Sequence, residues 1–561
     1  MTDVDRPGPR AVAAQPGSEH APTFARLVAD RAEDDATALW FEERSWTWRE
    51  VVEEARLRAG LLDDLRSDGP WHVGLAMENT AEHLFWWCAA ALAGATVVGI
   101  NPTRRGPELE RDVTFTRCQA LVVDDSRRPL LDGLATGVSP ERTLHVDDPI
   151  HADRLAAAAP LDLARADDVA AGTAYSLVFT SGTTSAPKAV ICTQGRLARI
   201  AVQQVERRAL TGDDVFYVVM PMFHSNAIMA GIAPAVRTGG TVVLRRRFSA
   251  SAWLPDVRRH GVTFFNYVGK PLHYVLATPE RPDDADNPLR IAFGNEASER
   301  DIAEFSRRFG CQVVDSFGSS EGEIRVMRTP DTPPGSLGRA PEGTVVLDPE
   351  TLEECPPAHF DDAGVLLNAD EAVGEIVNRT GAALFEGYWD NPEADARRLR
   401  HGWVWSGDLA YRDADGFFYF AGRSGDWLRV DGENVATAPV ERLLARFSAF
   451  SNVAVLAVPD EAVGDAVLAV AELEPGVGFD ADAFADFLAA QPDLGTTWVP
   501  RYLRLVDALP RTATSKVVKR AIDPSVDTDL DRLLVRVGRS LSYRPARPAS
   551  APRPPDDTLT P

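Results

Sequence analysis

The residues best suited to chemistry are Thr180-Ser-Gly-Thr-Thr-Ser-Ala-Pro-Lys188. Glycine lets backbone N–H groups approach an anion closely, hydroxyls donate further bonds, and lysine adds a point charge. Small hydroxyl residues, Gly182 and Lys188 in one run therefore make a phosphate cradle. The run departs from the G-x-x-x-x-G-K-[ST] pattern, because its lysine follows Pro187 and precedes Ala189. Taken alone it also reads as a turn, since turns favour Ser, Thr, Gly and Pro. Lysine usage favours the cradle. The chain has four lysines, Lys188, Lys270, Lys516 and Lys519, and otherwise uses arginine. A lysine in such a chain marks a place that needs a compact ammonium.

The cradle needs a rigid frame. The apolar run from Tyr175 to Phe179 before it, and Ala189 to Cys192 after it, read as buried strands. Upstream, Thr47-Trp-Arg-Glu50 fits a capping box that opens a helix to about Asp64. Val73 to Met77, Val97 to Ile100 and Ala120 to Val123 are strands, with a helix from Thr80 between the first two. Val138 to Asp168 is Ala/Asp/Pro-rich and reads as a surface excursion. Downstream, the helix Arg196 to Arg208 and strands at Val215, Thr241, Thr263, Leu289 and Gln312 continue the alternation, which predicts parallel α/β layers. A Pro-rich, β-rich segment runs to Trp405-Ser-Gly-Asp408, and the strand Phe417 to Ala421 ends at Gly422-Arg423. From Gly425 a compact α+β unit restarts. Residues 1 to 20 and those after about 540 are polar or Pro/Arg/Ala-rich and read as disordered.

With 561 residues, the length prior is about three or four domain-sized lobes. A net charge of -24 disfavours nucleic acid and anionic membrane as partners, so an anionic substrate must meet a local basic site. Five scattered cysteines without metal-ligand spacing read as buried thiols in a reducing, cytoplasmic compartment. No secretory signal is visible. The apolar run Leu84 to Ile100 is short for a membrane span, and Gly94 and Thr96 split it into a helix and a strand.

The motifs, in this order, resemble those of the AMP-binding adenylate-forming superfamily: acyl-CoA synthetases, peptide-synthetase adenylation domains and luciferases. The cradle is similar to the phosphate loop, Ser316-Phe-Gly-Ser-Ser-Glu321 to the aromatic-Gly-x-Thr-Glu motif, Ser406-Gly-Asp408 and Gly422-Arg423 to the ribose-binding pair, and Arg511-Thr-Ala-Thr-Ser-Lys516 to the C-terminal lysine motif. Phe248-Ser-Ala-Ser, Tyr267-Val-Gly, Gly294-Asn and Gly425 to Asn434 resemble the very-long-chain acyl-CoA synthetase and fatty-acid transport protein branch, without its N-terminal membrane anchor.

The resemblance implies an α/β fold: a large N-terminal domain of layered sheets with a β-rich subdomain, residues 21–423, and a small mobile α+β lid, residues 424–540, with a tail at 541–561. It implies that an acid attacks the α-phosphorus of ATP with pyrophosphate release, and that CoA then takes the acyl group. Thr180, Ser181, Gly182, Thr183, Thr184 and Lys188 would hold the β- and γ-phosphates, Thr183 acting in catalysis. Glu321 would bind Mg²⁺, a hard donor for a hard cation. Gly294, Asn295, Glu296, Ser316, Phe317, Gly318 and Ser320 would contact the nucleotide, with Phe317 on adenine. Asp408 and Arg423 would bind ribose. Lys516 would bridge the attacking carboxylate and the α-phosphate, stabilising charge that shifts during displacement. His224, Asn226, Tyr267, Lys270 and Gly294 would line the acid pocket. Gly425 would be the pivot and Gly432 would flank the thiol tunnel.

The sequence departs from the family at Ser185, Ala189 and Ser515, where glycines are usual, and at Lys270, where the branch carries an acidic residue. A buried ammonium there would favour an acid with a second polar group, whereas a lysine reaching outward would have no such role. Three readings stay open: an acyl-CoA ligase for a fatty or aromatic acid; a diazotase-type enzyme that adenylates nitrite for transfer to an aryl amine; and a non-catalytic nucleotide-binding relative. The oligomeric state is not legible.

Overall fold

A computed structural model describes residues 22–102, 104–180, 188–329, 331–361, 366–423, 427–430, 433–460, 464–491, 494, 498–512, 517–538 and 540–546. These separate into two compact units. One contains residues up to Met327 and Thr380–Val404; the other contains Arg328–Arg379, Trp405–Thr512 and the chain from residue 516 onward.

The first unit holds a six-stranded sheet and a larger one. The six-stranded sheet runs Thr143–His145, Ala120–Val123, His72–Ala76, Thr96–Gly99, Ala174–Thr180, Lys188–Thr193, and only its last pair is antiparallel. The segment read as a surface excursion thus supplies an edge strand, because Leu144 offers a side chain that becomes buried. The larger sheet runs Arg44–Thr47, Thr37–Phe41, Thr241–Leu244, Val215–Val218, Phe264–Val268, Ile291–Asn295, Gln312–Gly318, Arg325–Met327. It is parallel from Thr37–Phe41 through Gln312–Gly318.

Local signals set these elements. Thr47 and Glu50 form the expected capping box of the helix Trp48–Leu65. Helix Ala81–Ala93 is buried along all its residues except Glu82, and Gly94, at φ 65°, ends it before the strand Thr96–Gly99. The unbroken apolar run is therefore core. Among the described residues, no helix is long and apolar enough to cross a membrane. Trp253 packs edge-on against Phe305 and Phe309 at 5.2 and 4.8 Å, fixing two crossover helices to one face of the large sheet. In such a sheet the carboxyl ends of parallel strands open towards ligands.

The second unit contains the strands Thr344–Leu347, Gly374–Asn378, the part of Trp403–Arg412 from Trp405 onward, Phe417–Arg423 and Gly338–Arg339. A further sheet runs Glu433–Ala436, Trp427–Val430, Gly464–Leu473, Tyr502–Val506, Leu533–Arg536, Tyr543–Pro545, with Phe450–Asp460 beside Gly464–Leu473. Helices Thr437–Leu444 and Ala481–Ala489 cover it, and Phe447, Phe450 and Phe484 fill the core. The tail expected from 541 begins instead with an ordered strand. Tyr543 is buried there, and its hydroxyl donates to the Pro500 carbonyl at 2.6 Å.

Candidate active site

Four motif-bearing loops leave the carboxyl ends of neighbouring strands in the first unit. Tyr267 and Gly294 lie opposite one another in parallel register. A Cβ on Gly294 would sit 2.3 Å from the Tyr267 carbonyl oxygen, so only glycine fits. Asn226 Nδ2 donates to that same carbonyl at 3.4 Å, and Asn266 Nδ2 donates to Asn226 Oδ1 at 2.7 Å. Ser316 Oγ donates to the Gly294 carbonyl at 3.3 Å. Ser225 Oγ lies 3.4 Å from both Ser320 Oγ and His224 Nδ1. The expected acid-pocket residues His224, Asn226 and Gly294 are thus joined to the expected nucleotide residues Ser316 and Ser320.

Tyr267 is placed differently from the pocket-lining expectation. It is 0% exposed, and its hydroxyl donates to Asp315 Oδ2 at 2.9 Å, so its backbone, not its ring, meets Asn226. Asp315 Oδ2 also accepts from the Ala297 N–H at 3.1 Å, which holds the turn carrying Asn295 and Glu296. Glu296 adopts φ 67°, a left-handed backbone that is uncommon outside glycine. Lys270 precedes helix Pro271–Leu276 and is half-buried. Burial pushes the Asp301 carboxyl up, but hydrogen bonds from His273 and Ser298 and the charges of His273 and Lys270 bring it below the ordinary range. Asp301 lies in the first turn of helix Glu299–Phe309.

Glu321 is buried at the centre of a polar cluster. Its Oε1 accepts from the Tyr388 hydroxyl at 2.5 Å, and its Oε2 lies 3.8 Å from Arg398 Nη2. Burial pushes its carboxyl up, but Arg398, Tyr388 and hydrogen bonds from Ser319 and its own backbone outweigh this and hold it below the ordinary range. Glu323, whose side chain is fully buried 3.7 Å from the same Nη2, is pushed up to about 7 by burial, against the pull of Arg196 and Arg398. Arg196 Nη2 donates to the Ser320 carbonyl at 2.5 Å and Nη1 to the Ile191 carbonyl at 3.0 Å, tying this loop to the strand Lys188–Thr193. Lys188 Nζ stands 5.9 Å from the centre of the Tyr388 ring. Phe317, half-buried, pairs with Val326 across the sheet.

An ionised carboxylate beside a backbone turn is a donor for a hard cation. Among the described residues, no three His, Cys, Asp or Glu side chains are grouped to hold a metal by themselves. Mg²⁺ is commonly held by one or two carboxylates together with waters and substrate phosphates.

In the second unit, Asp408 and Arg423 stand opposite one another on antiparallel strands. The Asp408 N–H donates to Ser406 Oγ at 2.9 Å, the Gly407 N–H donates to Glu375 Oε1 at 2.6 Å, and Gly407 takes φ 73°. Lys519 donates to Thr437 Oγ1 at 2.8 Å and pairs with Glu441 at 2.8 Å, a structural lock. Ser181, Gly182, Thr183, Thr184, Gly425, Gly432 and Lys516 lie outside the described residues, and the side chains of Thr180 and Arg423 are likewise not described.

Residues 26–389 match the family model for AMP-binding enzymes, and residues 439–516 match the model of the AMP-binding enzyme C-terminal domain. The chain belongs to the AMP-binding enzyme family. It is 50% identical over 501 residues to the steroid-22-oyl-CoA synthetase of Rhodococcus jostii (strain RHA1), covering 89% of this chain and 90% of that protein. It is 46% identical over 503 residues to the medium/long-chain-fatty-acid–CoA ligase FadD17 of Mycobacterium tuberculosis (strain ATCC 25618 / H37Rv), covering 89% and 96% respectively. The fold is that of ATP-bound MatB from Rhodopseudomonas palustris, with TM-score 0.76 at 23% identity, covering 90% of this chain and 98% of that one.

Within this family frame, the sequence motifs singled out Glu321 but not Tyr388 and Arg398 beside it, nor Arg196, which anchors its loop. Tyr388, Arg398 and Arg196 lie 67, 77 and 125 positions from Glu321 in the chain, and nothing local marks them as its neighbours. The available signals were weak. Gly387-Tyr388 follows an apolar turn, and Arg196 occupies the first turn of a helix, where a cation is unfavourable unless it has carbonyl partners.

Proposed function

We propose that this protein is an ATP-dependent acyl-CoA ligase that activates an apolar carboxylic acid, of the medium- to long-chain fatty or steroid side-chain class, through an acyl-adenylate. The observation that carries this reading is the end-to-end similarity to a steroid-22-oyl-CoA synthetase and to FadD17, in a chain whose first unit joins Ser320 to Ser225 and Ser316 to Gly294. ATP and CoA are the co-substrates.

The two reactants are anions, so the site must offset their repulsion with fixed positive charge. The cradle Thr180 to Thr184 with Lys188 takes the β- and γ-phosphates, which leave as pyrophosphate. Lys516 spans the attacking carboxylate oxygen and an α-phosphate oxygen, so that its ammonium follows the charge as the acyl–O–P bond forms and the α–β bridge breaks. Phe317 stacks on adenine, with Gly318, Asn295 and Glu296 shaping the turn around it. Asp408 accepts from the ribose hydroxyls with Arg423 beside it. Glu321 would hold Mg²⁺, which when bound would supply Lewis-acid charge to the phosphate oxygens. His224, Asn226, Gly294 and the Tyr267 backbone border the acid. From Gly425 the C-terminal part pivots between adenylation and thiol attack, with Gly432 at the thiol tunnel.

The test is pyrophosphate release from Mg-ATP against fatty acids, steroid side-chain acids, aryl acids and nitrite, each with and without CoA. Turnover with an apolar acid that yields a thioester is expected. Turnover that needs nitrite and an aryl amine and ignores CoA would overturn the ligase reading, and the absence of release with every acid would overturn catalysis altogether.

A further inference from the structure

Arg398 belongs to none of the motifs above, yet it is 7% exposed and ends the short helix Pro392–Arg398 beneath the nucleotide loop. Its delivery is fixed locally. Asn391 caps that helix by accepting from the Ala394 N–H at 3.1 Å, and Asp395 Oδ1 accepts from the Tyr388 N–H at 2.8 Å. One short segment therefore presents both the Tyr388 hydroxyl and the Arg398 guanidinium to Glu321. A single nitrogen, Nη2, donates to Ser319 Oγ at 2.9 Å and lies 3.8 Å from Glu321 Oε2 and 3.7 Å from Glu323 Oε2. The Glu321 and Glu323 side chains are 10% and 0% exposed.

Two carboxylates buried this close require a cation, because water cannot screen them and each raises the cost of ionising the other. A guanidinium meets that requirement permanently, since it is never deprotonated and its donors are fixed in a plane. Mg²⁺ is reluctant to shed water and binds to one or two carboxylates only when phosphates complete its shell. One guanidinium offsets one of the two carboxylate charges, so the pair by itself draws a free divalent ion weakly and leaves its shell to be completed by phosphates.

We propose that Arg398 is a positioning residue that acts as the resident cation of Glu321 and Glu323, so that a divalent ion enters at Glu321 only in company with nucleotide phosphates. This rests on the reading of Glu321 as the metal-binding carboxylate. It makes metal recruitment conditional on ATP and keeps Glu321 oriented in the nucleotide-free enzyme.

The experiment is a titration of the full-length, nucleotide-free protein with Mn²⁺, following the free-ion electron paramagnetic resonance signal. Wild type and Arg398→Lys, which keep the cation, should bind no Mn²⁺ up to about 1 mM, the weak end of oxygen-ligand sites. Arg398→Met should gain one site at least about tenfold tighter, and the added substitution Glu321→Gln should remove it. An arginine with only a structural role would lower stability without creating a site. Failure of a folded Arg398→Met protein to bind Mn²⁺, or equal binding by wild type, would overturn the proposal. Arg398→Gln serves if the Met variant does not fold. The underlying reading fails separately: unchanged Mg²⁺ dependence of pyrophosphate release in Glu321→Gln would reject Glu321 as the metal carboxylate, whatever the Mn²⁺ titration shows.

Discussion

Tyr388→Phe dissects the centre of the site with the least disturbance, because it removes one oxygen and leaves the ring packed. The lost bond is the 2.5 Å donation to Glu321 Oε1, between residues 6% and 8% exposed, where no solvent can replace it. A hydrogen bond to an ionised acceptor contributes about 1.5–3 kcal/mol, against about 0.5–1.5 kcal/mol to a neutral one. In a Glu321→Gln background the phenol would meet a neutral amide oxygen, so the same Tyr388→Phe change should cost about 1 kcal/mol less. Guanidinium chloride unfolding of wild type, both single variants and the double variant gives this coupling directly. Its pH dependence has a definite sign. The folded-state Glu321 carboxyl lies below its ordinary value of 4.5, so its stabilisation is complete above that pH and is lost as pH falls through the lower folded value. The Tyr388→Phe penalty should therefore shrink on acidification. Additivity of the two substitutions within about 0.3 kcal/mol at neutral pH would refute the charge-assisted bond.

Glu323 behaves in the opposite sense. Burial raises its folded-state carboxyl from 4.5 to about 7, so its contribution is most favourable below 4.5 and declines as pH rises through about 7. Glu323→Gln should flatten that decline, gaining on the order of 3 kcal/mol relative to wild type between a pH below 4.5 and mildly alkaline pH in urea unfolding. Gly294→Ala places a Cβ 2.3 Å from the Tyr267 carbonyl, a clash between paired strands that no side-chain movement relieves. It should cost about 1–3 kcal/mol of stability and reduce adenylation of every acid, read by thermal unfolding and pyrophosphate release. Lys516→Ala should abolish adenylation with little change in the unfolding midpoint, and near-normal pyrophosphate release by that variant would remove Lys516 from the chemistry.

Much of the fold was legible because local rules and tertiary demand agree. The Thr47–Glu50 capping box, the glycine stop at Gly94 and the apolar strands from Tyr175 to Phe179 and from Leu289 to Phe293 each point to the element that forms, the last one shifted to Ile291–Asn295. The strand Thr143–His145 was illegible, since three residues carry no period and only its neighbour Ala120–Val123 makes it a strand. The strand Tyr543–Pro545 was hidden in the same way by Pro/Arg-rich composition.

By itself the sequence offered candidate groups: a run suited to cradling phosphate from Thr180 to Lys188 and, by resemblance to the family, Glu321 for a hard cation, Asp408 and Arg423 for ribose and Lys516 for the displacement. Residue type and spacing carry that information because anion and cation binding need particular groups at short range. Only the tertiary structure decided that the Tyr267 ring turns away to Asp315 while its carbonyl faces Asn226, since a strand's two faces are assigned by what packs on them. Only it decided that Tyr388, Arg196 and Arg398 converge on the Glu321 loop. The state of a buried carboxylate depends on charges brought within a few ångströms by packing, and separation along the chain gives no measure of that distance.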